Sequence, residues 1–169
     1  ELELTYRFAT ADEYALMARN ADAVSEIADF RSMAIAPDGR RELTQLKAVD
    51  HAYPLVGAVV LSPDMPLDVA FGGSGGLPGA VMQPILAARL GIKVGDTFRL
   101  GEREFRLMAE LVKEPDQTRA GFGLGPRTIV SRANLDGSGL LSAGSLFTTK
   151  YRLDLAEGTD LAAFETRVM

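Results

Sequence analysis

His51 is the only histidine in the chain, and it stands beside Asp50. A histidine oriented by a carboxylate can act as general base for a serine nucleophile. No G-x-S-x-G elbow exists to present that serine, so His51 reads as a solvated turn residue or a cap. Zinc takes three or four mostly nitrogen or sulfur ligands. With one histidine and no cysteine, the sequence predicts no metal site. Carboxylates able to serve as an acid–base pair are Asp64, Asp68, Asp96, Glu102, Glu104, Glu110 and Glu114. No spacing singles out two of them. Asp96 follows Gly95 and reads as a turn residue bonding nearby amides; the others read as solvated strand faces or loop edges. The stretch Asn134–Gly137 falls short of a calcium loop. Gly72–Gly76 is glycine-rich, but a phosphate loop needs Lys-Ser or Lys-Thr after its last glycine, and Leu77-Pro78-Gly79 stands there. The expectation is a mobile loop or hairpin tip. Arg31, Arg40 and Arg41 make a local basic spot, read as the polar face of an exposed hairpin rather than an anion site. Met33, Met82 and Met108 occupy apolar positions and read as core. Catalytic, cofactor-binding and metal sites are all expected to be absent.

The elements around these residues are more legible. Pro37-Asp38-Gly39 separates two long segments, Val24–Ala36 and Arg40–Val49. Asp-Gly at the centre of a two-residue loop accepts φ > 0, so the pattern predicts a long β-hairpin with an exposed tip. Its arms alternate poorly: Ile27, Met33 and Ile35 share one parity, Val24 and Phe30 the other. A bulge, or a strand that passes from one sheet to another, would account for this. Glu1–Phe8 alternates strictly, with Leu2, Leu4, Tyr6 and Phe8 on one side. Thr10 to Glu13 is a capping box opening a helix to about Asn20, with Tyr14, Met17 and Ala18 on one face. Further on come a short strand at Gly57–Ser62 and a helix at Val81–Leu90 with Gly91 as its C-terminal stop. Two antiparallel strands, Thr97–Leu100 and Glu104–Val112, follow. Pro126–Ser131 and Lys150–Leu155 read as strands, Arg132–Leu140 as a short helix or turn, and Asp160–Met169 as a final helix.

The 169 residues are 47% hydrophobic with a formal charge of −5, normal for a globular core. The charge argues against a nucleic-acid partner. The longest apolar run, about Leu55–Leu61, is far short of the roughly 20 residues of a membrane span. Both ends fall inside predicted elements, and the chain is expected to be a piece of something longer. The fold class expected is α+β: residues 1–52 and 126–169 form one mixed α/β subdomain, and 53–125 an inserted β-rich one that closes as a small barrel or sandwich.

The hairpin region also carries a resemblance. DFRSMA (Asp29–Ala34) and LKAVDHAYPLVG (Leu46–Gly57), with the core K-A-V-D-x-x-Y-P-L from Lys47 to Leu55, resemble the extracytoplasmic domain of FtsX-like ABC permeases of the MacB class, YbbP-type subgroup. GLPGAVM (Gly76–Met82), RLGIKVGDTFRLG (Arg89–Gly101) and GPRTIVS (Gly125–Ser131) fit the same pattern. The resemblance implies a porter-like subdomain with a sabre-like insert, standing on membrane helices of the same polypeptide on the periplasmic side of the cell membrane. It implies no catalysis and no cofactor. Its partners would be a cytoplasmic ATP-binding subunit and, outside the membrane, a periplasmic protein or a lipid-like substrate (lipid or lipoprotein class). The domain would couple ATP hydrolysis to export or extraction. The rival expectation is a free-standing periplasmic enzyme or small-molecule-binding protein, marked by a deep pocket at Asp50, His51 or Gly72–Gly76; a passive adaptor is a third.

Overall fold

The computed structural model describes residues 1–55, 57–115, 125–136, 138–141, 146–155, 162, 163 and 166. The final helix expected at Asp160–Met169 lies almost wholly outside them. The elements are β1 (Leu2–Thr5), α1 (Ala11–Asn20), β2 (Ala23–Ile35), β3 (Arg41–Val49), β4 (Val60–Ser62), α2 (Leu67–Gly72), β5 (Gly79–Met82), α3 (Pro84–Leu90), β6 (Thr97–Leu100), β7 (Arg103–Lys113), β8 (Arg127–Ser131), a 3-10 turn at Arg132–Leu135, and β9 (Thr148–Asp154).

Among the described residues, all nine strands belong to one mixed sheet, in the order β1-β9-β2-β3-β8-β5-β7-β4, with β6 bridging β2 and β7. The α+β class expected from sequence is what forms. The long β2 explains the topology. One edge of it pairs β3 from Ile27 to Ile35. Its other edge pairs β9 over Ala23–Asp29 and then β6 at Ala34–Ile35. The irregular alternation of this arm therefore comes from a strand that changes partners, with no register shift along either ladder. Because β6 also pairs β7, the strands β2, β3, β8, β5, β7 and β6 close a ring. Residues 53–125, expected as an insert, supply β5, β6 and β7, while β2, β3 and β8 complete the closure. Closure removes sheet edges that would otherwise be exposed.

The hairpin tip is solvent-exposed, as expected, but its loop has three residues rather than two. The Ala36 N–H donates to Arg40 O at 2.8 Å and the Gly39 N–H to Ala36 O at 2.9 Å. A turn over Pro37-Asp38 is followed by Gly39 at φ 91°, a left-handed position that a β-carbon would strain. The Thr10–Glu13 capping box is present in both directions, and Met17 is the buried residue of α1; Ala18 is exposed.

Three expectations are corrected. Tyr6 breaks the first strand: its φ is +60° and it is 61% exposed. The helix read at Val81–Leu90 begins only at Pro84, since Val81 and Met82 lie in β5. A residue before proline avoids the helical region, so Gln83 stays extended and caps α3 instead. In α3, Leu86, Ala87 and Leu90 are buried and Ile85 is exposed. Met82 is fully buried and Met108 packs at the core margin, but Met33 is 40% exposed.

The core divides across the sheet. One face, under α3, gathers Phe30, Leu46, Leu86, Phe98, Phe105 and Val130 among others. The opposite face, under α2, gathers Ile27, Val49, Tyr53, Val81, Leu111 and Ile129.

Candidate functional site

On the α2 face, the odd positions of β3 run Gln45, Lys47, Val49. Val49 joins the apolar core there, and Lys47 is buried beside it at 3% exposure. A lysine in such a place needs a partner. Glu114, immediately after β7, supplies it: Lys47 Nζ to Glu114 Oε2 is 3.1 Å. Arg127, the first residue of β8, holds the other oxygen, with Nε to Oε1 at 3.1 Å. Its Nη1 reaches Asp29 Oδ1 on β2 at 3.2 Å. Gln45 Nε2 donates to the same Asp29 oxygen, and Lys150 of β9 lies 3.8 Å from Oδ2. The Lys47 ammonium stands 3.4 Å from the Tyr53 hydroxyl and over its ring. Four strands, the end of β7 and the turn after β3 thus converge on one line of alternating charge.

The motif that carries the resemblance is therefore a structural one. In Lys47-Ala48-Val49-Asp50, Lys47 binds Glu114 and Asp50 fastens the turn. Asp50 Oδ1 accepts from Ser25 Oγ at 3.0 Å and the Ala52 N–H at 3.1 Å, and Oδ2 accepts from the Glu26 N–H at 2.7 Å. Partial burial pushes the Asp50 carboxyl above its ordinary range, against the opposing pull of Ser25 and the Ala52 amide. His51 beside it is exposed. These two residues do border a cleft of about 630 Å³, walled by Tyr53, Leu67, Asp68 and Phe71. It is the place named for the rival reading. However, the cleft is open to solvent, and Asp50 is committed to Ser25 and the two amides. Asn134, on its rim, donates to Phe71 O at 2.9 Å, so its side chain holds α2 rather than a ligand.

The remaining candidates separate. Asp64, Asp68, Glu102 and Glu104 are exposed, and Glu110 is half-buried. Asp96 accepts from the Lys93 N–H at 3.0 Å, as its Gly-Asp setting suggests. Arg31 and Arg41 are exposed on the hairpin, and Arg40 pairs with Asp38 at 3.2 Å. Gly72 ends α2 and Gly73–Gly76 forms a tight turn closed by a Ser74–Leu77 bridge. A β-carbon on Gly73 would overlap the Leu77 carbonyl oxygen. Arg106 ties this turn down, donating to Ser74 O at 3.2 Å and Gly95 O at 2.6 Å. Of these seven candidate carboxylates only Glu114 is buried with both oxygens held by cations. Its partners are 67 and 13 residues away, and no local spacing could have found them. Gly137 of the calcium-like stretch lies outside the described residues. Among the described residues no cluster of three or more histidine, aspartate or glutamate side chains is arranged to hold a metal, and no helix is long and apolar enough to cross a membrane.

No family model matches the chain. It is 32% identical over 124 residues to the ABC transporter permease YbbP of Escherichia coli (strain K12), which covers 73% of this chain and 14% of that protein. The chain thus spans about one-seventh of the relative's length. Two solved structures share its fold. One is the extracellular domain of the noncanonic ABC-type transporter YknZ from Gram-positive bacteria, with TM-score 0.63 and 12% identity, covering 94% of this chain and 79% of that one. The other is the periplasmic region of MacB from Actinobacillus actinomycetemcomitans, with TM-score 0.55 and 9% identity, covering 92% and 70%.

Proposed function

Since the chain belongs with the extracytoplasmic, MacB-like domains of FtsX-like ABC transporter permeases, we propose that it couples ATP hydrolysis inside the cell to work on a hydrophobic cargo outside. The cargo is of the lipid or lipoprotein class, taken up directly or passed to a periplasmic partner. The ATP would be hydrolysed by a separate cytoplasmic subunit, and the membrane helices of the same polypeptide would carry the motion. Residues 1–52 with 126–169 would form the porter-like scaffold and 53–125 the sabre-like insert.

The observation that carries this reading is the relationship to a permease over most of the chain. The fold adds a compatible geometry. β1 and β9 are antiparallel neighbours, with Leu2 opposite Tyr151, and Glu1 binds Arg152 at 2.8 Å. The start of β1 and the end of β9 therefore leave the sheet at the same end, as two neighbouring membrane spans require. A domain with two arrangements biased by nucleotide state would then do the coupling.

The test is reconstitution of the full-length permease with its ATP-binding subunit in liposomes carrying a fluorescent acylated lipid. Replacing residues 1–169 by a short flexible linker should abolish ATP-dependent release of the lipid to an external acceptor while ATP hydrolysis continues. Release that persists without the domain would overturn the proposal.

A further inference from the structure

The buried charges sit where the inserted stretch leaves the scaffold and returns to it. Tyr53 is at the departure and Glu114 at the return; a β-carbon on Gly57 would lie 3.1 Å from Pro115 Cβ, so the two passages run side by side. Lys47, Arg127 and Asp29 belong to the scaffold strands β3, β8 and β2, and Glu114 to the insert. Both carboxylate oxygens of Glu114 are held by scaffold cations, and the side chains of Lys47, Glu114 and Arg127 are 4%, 4% and 7% exposed. An apolar group of similar volume would fill such a place at no loss of stability, because desolvating paired ions offsets their attraction. An ion cluster differs in what happens when it is broken. Opening it in part leaves an unpaired buried charge, so it has a closed state and an open, hydrated one, with little between.

We infer that Lys47, Glu114, Arg127 and Asp29 form a polar lock that seats the insert's two passages on the scaffold and opens as a unit, freeing those passages locally while the β5–β8 and β6–β2 ladders stay paired. This rests on the coupling reading above, since the lock would be the element that nucleotide state biases. The face beneath it continues into Ile27, Val49 and Ile129, so opening would expose apolar surface.

Hydrogen–deuterium exchange on the full-length permease tests this. In Glu114→Gln, which preserves shape and removes the charge, peptides covering 53–62 and 107–115 should exchange about tenfold faster, while those covering 43–49 and 127–131 change less than about twofold. Uniform acceleration, the mark of a merely structural contact, or no change at all would overturn the lock. Should that variant not fold, Tyr53→Phe, which deletes only the hydroxyl near Lys47, decides on the same readout with a smaller local acceleration. In the wild-type complex with its ATP-binding subunit, nucleotide should alter exchange in those same two peptides. Local acceleration in the variants without any nucleotide response would keep the lock and overturn the coupling reading instead.

Discussion

Glu114 and His51 show opposite relations between a residue's chemistry and its setting. His51 carries the more reactive side chain but is exposed beside a carboxylate already satisfied by Ser25, Glu26 and Ala52. His51→Ala should shift stability by no more than about 0.5 kcal/mol, as for surface substitutions generally, and leave no hydrolase activity to lose; a saturable turnover abolished by that change would contradict this. Glu114→Ala strands Lys47 and Arg127 in a buried site, and should cost about 3–5 kcal/mol. For a domain of this size that lowers the melting midpoint by roughly 10 °C. Asp50→Asn tests the turn. Whichever way the amide is rotated, its nitrogen meets a backbone N–H, of Glu26 or of Ala52, and the loss should be about 1–3 kcal/mol in denaturant titration. The sequence displayed the Lys47–Leu55 motif but not its meaning. A lysine's burial partner across 67 residues is set by tertiary topology alone.

Elements were legible where the signal is local. The capping box of α1 and the two hairpin arms form as read. The misreadings share a cause. Val81 and Met82 continue the helical period of Leu86 and Leu90, yet β5 draws them into the sheet between β8 and β7; tertiary pairing overrides period in short apolar runs. The short α2 was not anticipated, because its six residues bury only Ala70 fully. Two element-scale outcomes follow from geometry. Gly39→Val forces a β-branched residue to φ near +91° in open space and should cost about 1–2 kcal/mol; an unchanged melting temperature would count against the turn. At the head of α1, the Arg7 guanidinium and the Thr10 amide hold Glu13 down to about 2 from its usual 4.5. A depressed carboxylate stabilises above its unfolded value, and that contribution fades as pH falls through 4.5 toward 2. Glu13→Gln should therefore flatten the acid dependence of α1 helicity, followed by circular dichroism, across that window.

The strands of the described residues form one sheet that spans both stretches of the chain, and its length gives it a direction. β2 runs 13 residues from Ala23, opposite Asp154 at the end of β9, to Ile35 beside the hairpin tip. At about 3.3 Å per residue that is roughly 40 Å. Leu2 and Asp154 mark one end; Pro37–Gly39, with Leu100 paired to Ala34, marks the other. Residues 1–52 and 126–169 are expected to build together, and β1 and β9 do pair. From sequence, closure is assigned to the insert alone, whereas β6 closes on β2 through Ala34–Leu100 and Ile35–Arg99, long-range pairs that no periodicity encodes. If the domain stands on the membrane as proposed, the β1/β9 end must face the lipid and the tip must point away. In the full-length protein in nanodiscs, spin labels at the exposed positions Glu3 and Asp154 should then be relaxed by a lipid-dissolved agent. A label at Asp38, some 40 Å distant along β2, should respond only to a water-soluble one. These 169 residues contain no cysteine, so each label is placed singly once any cysteine elsewhere in the full-length protein has been replaced. Equal lipid accessibility at both ends, or lipid contact at Asp38 alone, would turn the domain on its side or upside down and remove the geometric basis for coupling through β1 and β9.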